Sequence, residues 1–142
     1  MHALRNLHAA LVPGGLLVDT QPLSPHPPVE ADSGVLGALD MREWERTLAT
    51  IDDRIVSTIR DGLYAVEHER CFVVTDSFDS GTEMLDVVGN WMGTLIPAEV
   101  ADRAAAESGP VRVYQDVRLR LLRRSGSSPS GRSSMKITSR NP

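Results

Sequence analysis

Leu4, Leu7, His8, Leu11 and Val12 recur at helical spacing over the first dozen residues, and Pro13-Gly14-Gly15 stops the pattern. The next apolar positions, Leu16-Leu17-Val18, are continuous rather than alternating. That predicts a short strand covered on both faces, as in a parallel sheet. The segment from 22 to 34 carries Pro22, Pro25, Pro27 and Pro28 and reads as a loop. Residues 35 to 41 suit either a short strand or the approach to the helix that follows. From Arg42 to Gly62 the apolar positions Trp44, Leu48, Ile51, Ile55, Ile59 and Leu63 step by three or four, a long amphipathic helix closed by Gly62.

The second half is read the same way. Residues 64 to 80 are rich in β-branched and aromatic side chains and predict a long strand. Ser80 and Glu83 stand in the S-x-x-E spacing of a capping box ahead of an apolar run from Met84 to Ile96, and Pro97 opens a further helix to about Glu107. From 110 to 123 polar and apolar residues alternate. Val111, Val113, Val117, Leu119 and Leu121 share one face, with Arg112, Asp116, Arg118 and Arg120 on the other, which predicts an antiparallel strand with one wet face. The last 18 residues hold seven serines and almost nothing apolar, so 125–142 is expected to be a disordered tail behind one domain of residues 1–124.

Charge narrows the function. Twelve basic and nineteen acidic residues precede Ser125, a net charge of −7 that argues against a nucleic-acid surface. No stretch approaches the ~20 apolar residues of a membrane span. The single cysteine, Cys71, excludes an internal disulfide and points to a cytoplasmic setting; it is expected to be buried and inert on its strand. Glu67, Glu69 and Cys71 would share one strand face with His68 on the other, so the four cannot close on one metal ion. Trp44, Trp91 and Met92 fall at helical apolar positions and are expected in a core or an interface.

Helix, Pro-Gly-Gly turn, strand, loop, long helix, strand, helical insertion and final strand, in that order, resemble the C-terminal half of a class I S-adenosylmethionine-dependent methyltransferase. In that family an L-x-P-G-G turn, here Leu11-Val12-Pro13-Gly14-Gly15, leads into the fifth strand of the sheet, and the last two strands pair antiparallel at one edge. The resemblance implies an α/β fold: a partial Rossmann-like methyltransferase sheet with an antiparallel C-terminal strand pair, 64–79 and 110–123, and flanking helices. It also implies S-adenosylmethionine as cofactor and methyl transfer to an O, N or C acceptor.

The glycine-rich G-x-G-x-G loop and the ribose-binding carboxylate of that family have no counterpart here. Gly14-Gly15 precedes a strand instead of following one, and Gly34 and Gly37 flank only Val35 and Leu36. The chain is therefore expected to carry the acceptor side, to need a cofactor-binding N-terminal half, and neither to bind S-adenosylmethionine nor to catalyse by itself. Asp19, Thr20 and Gln21 end the first strand on the edge where α/β sheets hold ligands and are the substrate-proximal candidates; Pro13, Gly14 and Gly15 are the fold motif. A second expectation is a small non-enzymatic α+β protein that forms a homodimer or binds a partner protein through the surface the missing half would cover.

Overall fold

The computed structural model describes residues 2–126. Nine elements follow in the order α1 (His2–Ala10), β1 (Leu16–Pro22), β2 (Pro28–Ala31), β3 (Gly34–Ala38), α2 (Arg42–Arg60), β4 (Tyr64–Phe78), α3 (Gly81–Val88), α4 (Ala98–Ala105) and β5 (Val111–Arg124). The helices at both ends of the chain's apolar periodicities, and the two long strands, stand where the pattern puts them. Ser80 Oγ accepts from the Glu83 N–H at 3.2 Å, while the Glu83 carboxylate reaches back to the Asp79 N–H at 2.6 Å, so the capping box closes one residue early. The expected serine-rich tail falls almost wholly outside the described residues.

The architecture is mixed α/β, with one five-stranded antiparallel sheet built around β5. Along one side β5 pairs with the whole of β4, from Arg124 opposite Tyr64 to Val111 opposite Phe78. Along the other it pairs first with β1, Leu17 opposite Leu122 and Gln21 opposite Arg118, and then with β2, Val29 opposite Val113. The short strand β3 closes that edge against β2. Two expectations are corrected here. The strand Leu16-Leu17-Val18 is antiparallel to its neighbour, and the proline-rich segment holds strand β2. Its prolines are tolerated because Pro28 begins the strand and Pro25 and Pro27 lie before it, where their carbonyls accept from Met41 and Leu39. Residues 34–38 form a strand and not the approach to α2.

The helices cover opposite faces of the sheet at its two ends. At one end α3 and α4 bury Val111 and Val113 of β5 with Phe78, Met84, Val88, Val100 and Ala104. At the other, α1 and α2 bury Leu122 with Ile55 and Tyr64, and Leu4, Leu11, Leu17 and Ile51 pack around them. A strand's side chains alternate, so the buried set of β5 switches from odd to even positions midway. Arg118 and Arg120 therefore turn inward beneath α2 instead of lying on a wet face; Arg120 is 5% exposed. Leu17 shares their face, whereas Leu16 and Val18 point the other way and are 44% and 57% exposed. The covering of β1 on both faces is not found.

Other corrections follow from the end of α3 and a register shift in β4. The helix stops at Val88, so Trp91 and Met92 lie in the turns beyond it, and Met92 is exposed, not core. Pro97 caps α4 from outside rather than opening its first turn. β4 has a bulge between Val66 and His68, which places Glu67 beside Arg123, 2.6 Å from its guanidinium, on the side of the sheet opposite Glu69. Cys71 is exposed, because no helix covers that stretch of β4. Among the described residues no helix is long and apolar enough to cross a membrane.

Candidate functional site

The end of β1 is occupied by an ion network. Arg120 donates from Nε and Nη2 to Asp19 Oδ2 at 2.9 and 2.7 Å, and from Nη2 to Asp52 Oδ1 at 2.7 Å. Arg118 Nη2 lies 2.6 Å from Asp52 Oδ1 and 2.6 Å from Gln21 Oε1, and Gln21 Nε2 closes the ring on Asp19 Oδ1 at 3.0 Å. Strand register lines up Asp19 with Arg120 and Gln21 with Arg118, and the third turn of α2 lowers Asp52 onto both. Burial opposes ionisation of Asp52, but the hydrogen bonds from Arg118 and Arg120 outweigh it and hold its carboxyl below the ordinary range. Burial likewise opposes the charge on Arg120, and the two carboxylates overcome it.

This network decides what the three substrate-proximal candidates are able to do. Asp19 and Gln21 have their polar atoms committed beneath α2, and Thr20 points to the opposite, open face. Pro13, Gly14 and Gly15 form a structural turn: the Gly15 N–H donates to Val12 O at 2.8 Å, and Arg123 Nη1 donates to Gly14 O at 2.6 Å. A cavity of about 330 Å³ opens beside β1, lined by Leu4, Leu7, Leu17, Val18, Ile51 and Ile55 with Asp19 and Arg54 at its polar end. The residues present do not fit S-adenosylmethionine. Asp19, the one carboxylate among the three substrate-proximal candidates, already accepts three hydrogen bonds and cannot take two ribose hydroxyls, and β1 runs out into Gln21-Pro22 without a glycine turn.

A second pocket, about 480 Å³, lies past the end of β1 and is lined by Pro22, Met41, Trp44, Asn90, Trp91, Met92 and Gln115. Both of the chain's tryptophans meet here. The loop after α3 is tied to the start of α2 by two hydrogen bonds between Asp40 and Leu95, at 2.9 and 2.8 Å. Gly93 makes the approach possible: its φ is +68°, and a Cβ there would sit 3.2 Å from Trp44 Cβ. Arg42 grips Asp40 through side-chain and backbone hydrogen bonds and lowers its pKa to about 2. The pocket was not legible from apolar periodicity, which assigns tryptophans to a core; the turn signal Gly89-Asn90, followed by Gly93, marks where the helix ends and those side chains leave it.

The sheet face opposite α1 and α2 carries three rows across β1, β5 and β4. Val18 and His68 flank Leu121, Thr20 and Arg70 flank Leu119, and Pro22 and Phe72 flank Val117. Leu16, Val18 and Phe72 are exposed on it. No protein-family model matches this chain, nor does any curated protein or solved structure with which it was compared.

Proposed function

We propose that the chain is the acceptor-side half of a class I S-adenosylmethionine-dependent methyltransferase, acting only when joined to a cofactor-binding half. The observation that carries this reading is the strand pairing: β5, the last strand, pairs antiparallel along the whole of β4, as the resemblance implies for the last two strands, and pairs with β1 on its other side. Two further features support it. β1 has no partner on its outer edge among the described residues, and the face bearing Leu16, Val18, Leu119 and Leu121 lacks a helix layer while the face beneath α1 and α2 has one. A cofactor-binding half would add strands to that edge and helices to that face.

The test is to extend the chain at its N-terminus by the residues encoded immediately upstream and titrate both forms with S-adenosylmethionine by calorimetry. Saturable micromolar binding by the extended chain alone supports the reading. Binding by neither form, or an upstream sequence without a strand and glycine loop, rejects it. Binding by the 142-residue chain itself also rejects it.

A second reading is favoured by β4. Among the described residues its 15 positions pair only with β5, which leaves one long edge carrying the exposed Val66, Phe72 and Val73. Such an edge suits a homodimer or a protein partner that adds a strand. Sedimentation over a concentration series separates the two: a tight, well-folded dimer of the chain alone favours self-association as its working state.

A further inference from the structure

We infer that the pocket formed by Trp44, Trp91 and Met92 is a binding site for a neutral, planar aromatic molecule that carries a hydroxyl donor, a phenol. The inference uses this chain's own residues and does not depend on the methyl-transfer reading. Its walls are built before any ligand arrives: the Asp40–Leu95 bridge and the close seat of Gly93 on Trp44 hold the loop after α3 against the start of α2. Such preorganisation lowers the ordering cost of binding. Met92, 82% exposed at the rim, is a flexible and polarisable side chain that adapts to an aromatic surface.

The polar atoms specify the ligand. None of the lining residues is charged, so an ion would enter without a counter-charge. Trp44 Nε1 is buried without an acceptor among the described residues, so that indole offers an incoming molecule carbon and no polar atom. The two amides remain. Gln115 Nε2 donates to Asp76 Oδ2 at 2.8 Å, and Asn90 Nδ2 donates to the Asp86 carbonyl at 2.7 Å. Both partners are pure acceptors, so neither amide can flip without setting oxygen against oxygen. Half-buried Gln115 Oε1 is thereby left as an acceptor with no protein donor among the described residues, and Asn90 Oδ1 is a second acceptor on the exposed rim. A ligand satisfies them with an O–H, and its ring rests among the tryptophans and Met92, where flat aromatic surface gains most.

The experiment uses the full ¹⁵N-labelled chain with two probes of nearly the same shape, 2-naphthol and 2-methoxynaphthalene. With 2-naphthol the indole N–H resonances of Trp44 and Trp91 shift saturably, and 2-methoxynaphthalene, which lacks the donor, binds about fivefold more weakly. Gln115→Leu narrows that difference to less than about twofold. Trp91→Leu weakens both probes about tenfold with their ratio unchanged. Because Trp91 also packs on the apolar core, Gln115→Leu is the deciding variant. The inference is overturned by the absence of a saturable shift, by equal affinity of the wild-type chain for the two probes, or by binding that moves Leu4 and Leu7 signals and leaves both indoles unmoved. Cofactor binding plays no part in the readout, so failure here leaves the methyltransferase reading standing, and the reverse.

Discussion

Asp19 and Arg120 are register partners on neighbouring strands, and their side chains repeat the pairing with hydrogen bonds of 2.9 and 2.7 Å onto one carboxylate oxygen. The pair is a junction, because the same guanidinium also holds Asp52 of α2 and so fastens the helix to the sheet. Arg120→Ala leaves the largely buried Asp19 without its cation and Asp52 with Arg118 alone. We expect it to cost about 3 kcal/mol of stability, whereas replacing Arg120, Asp19 and Asp52 together by apolar residues of similar size costs much less. Urea unfolding of the two variants checks the difference; equal losses would mean that packing and not charge pairing sets the cost.

Acid should loosen the same junction. The Asp52 carboxyl is held below its ordinary value in the folded chain, so on acidification the unfolded chain takes up this proton first. The stability it contributes is complete above the unfolded value of about 4, declines as pH falls below that, and is lost once pH passes the folded value. Asp52→Asn is expected to be less stable than wild type at pH 7 by about 1 kcal/mol, a figure kept small because a third of the side chain meets water. The two proteins should converge once the pH lies below the folded value. Urea midpoints measured across that range decide, and a difference independent of pH would show that the carboxylate's charge is not its contribution.

Neighbouring positions of β1 should respond in opposite ways. Leu17 packs into the cluster beneath α1 and α2, so Leu17→Asp puts an unpaired charge there and costs about 3 kcal/mol. Val18 lies on the open face, so Val18→Asp should leave the thermal midpoint within a few degrees while weakening any self-association. Calorimetric melting and sedimentation of both variants give the comparison. Unfolding by Val18→Asp and tolerance of Leu17→Asp would invert the assignment of faces.

Gly81 marks the tightest helix contact. A Cβ built there lies 1.7 Å from the carbonyl oxygen of Ala104, so α3 and α4 must separate to admit a methyl group. We expect Gly81→Ala to cost about 3 kcal/mol despite alanine's better helix propensity. Gly109→Ala, where an added Cβ meets nothing within 4 Å, serves as the control. Comparable melting of the two variants would refute the close contact.

Removing residues 127–142 should move the thermal midpoint by no more than about 2 °C, since the segment has almost no apolar surface to bury. The cut leaves in place Ser125, whose N–H donates to Leu63 O at 3.0 Å. A larger drop would show that the serine-rich segment packs against the domain.

The local content of this fold was readable. The apolar steps of α2, the S-x-x-E signal ahead of α3, and the β-branched run of β4 each depend on neighbours a few residues apart, and each stands where that spacing puts it. The strand in the proline-rich segment was hidden because turn residues mask a four-residue strand that is flanked by a short neighbour, β3, and by β5 some eighty residues away.

Which face of each strand is buried was beyond the sequence. The alternation of β5 runs from Val111 to Leu121, broken only at Tyr114-Gln115, and a period of two says only that two faces differ. Tertiary structure decided which is inside, and decided it differently at the two ends, because α3 and α4 cover one face and α1 and α2 the other. The same placement turned Arg118 and Arg120 from expected solvent-facing residues into the partners of Asp19 and Asp52. It also brought Trp44 and Trp91, forty-seven positions apart, to one pocket. The chain alone determined its elements; only their packing determined which polar groups are paired and which surfaces stay open, since burial belongs to contacts between distant segments and not to the pattern within any one of them.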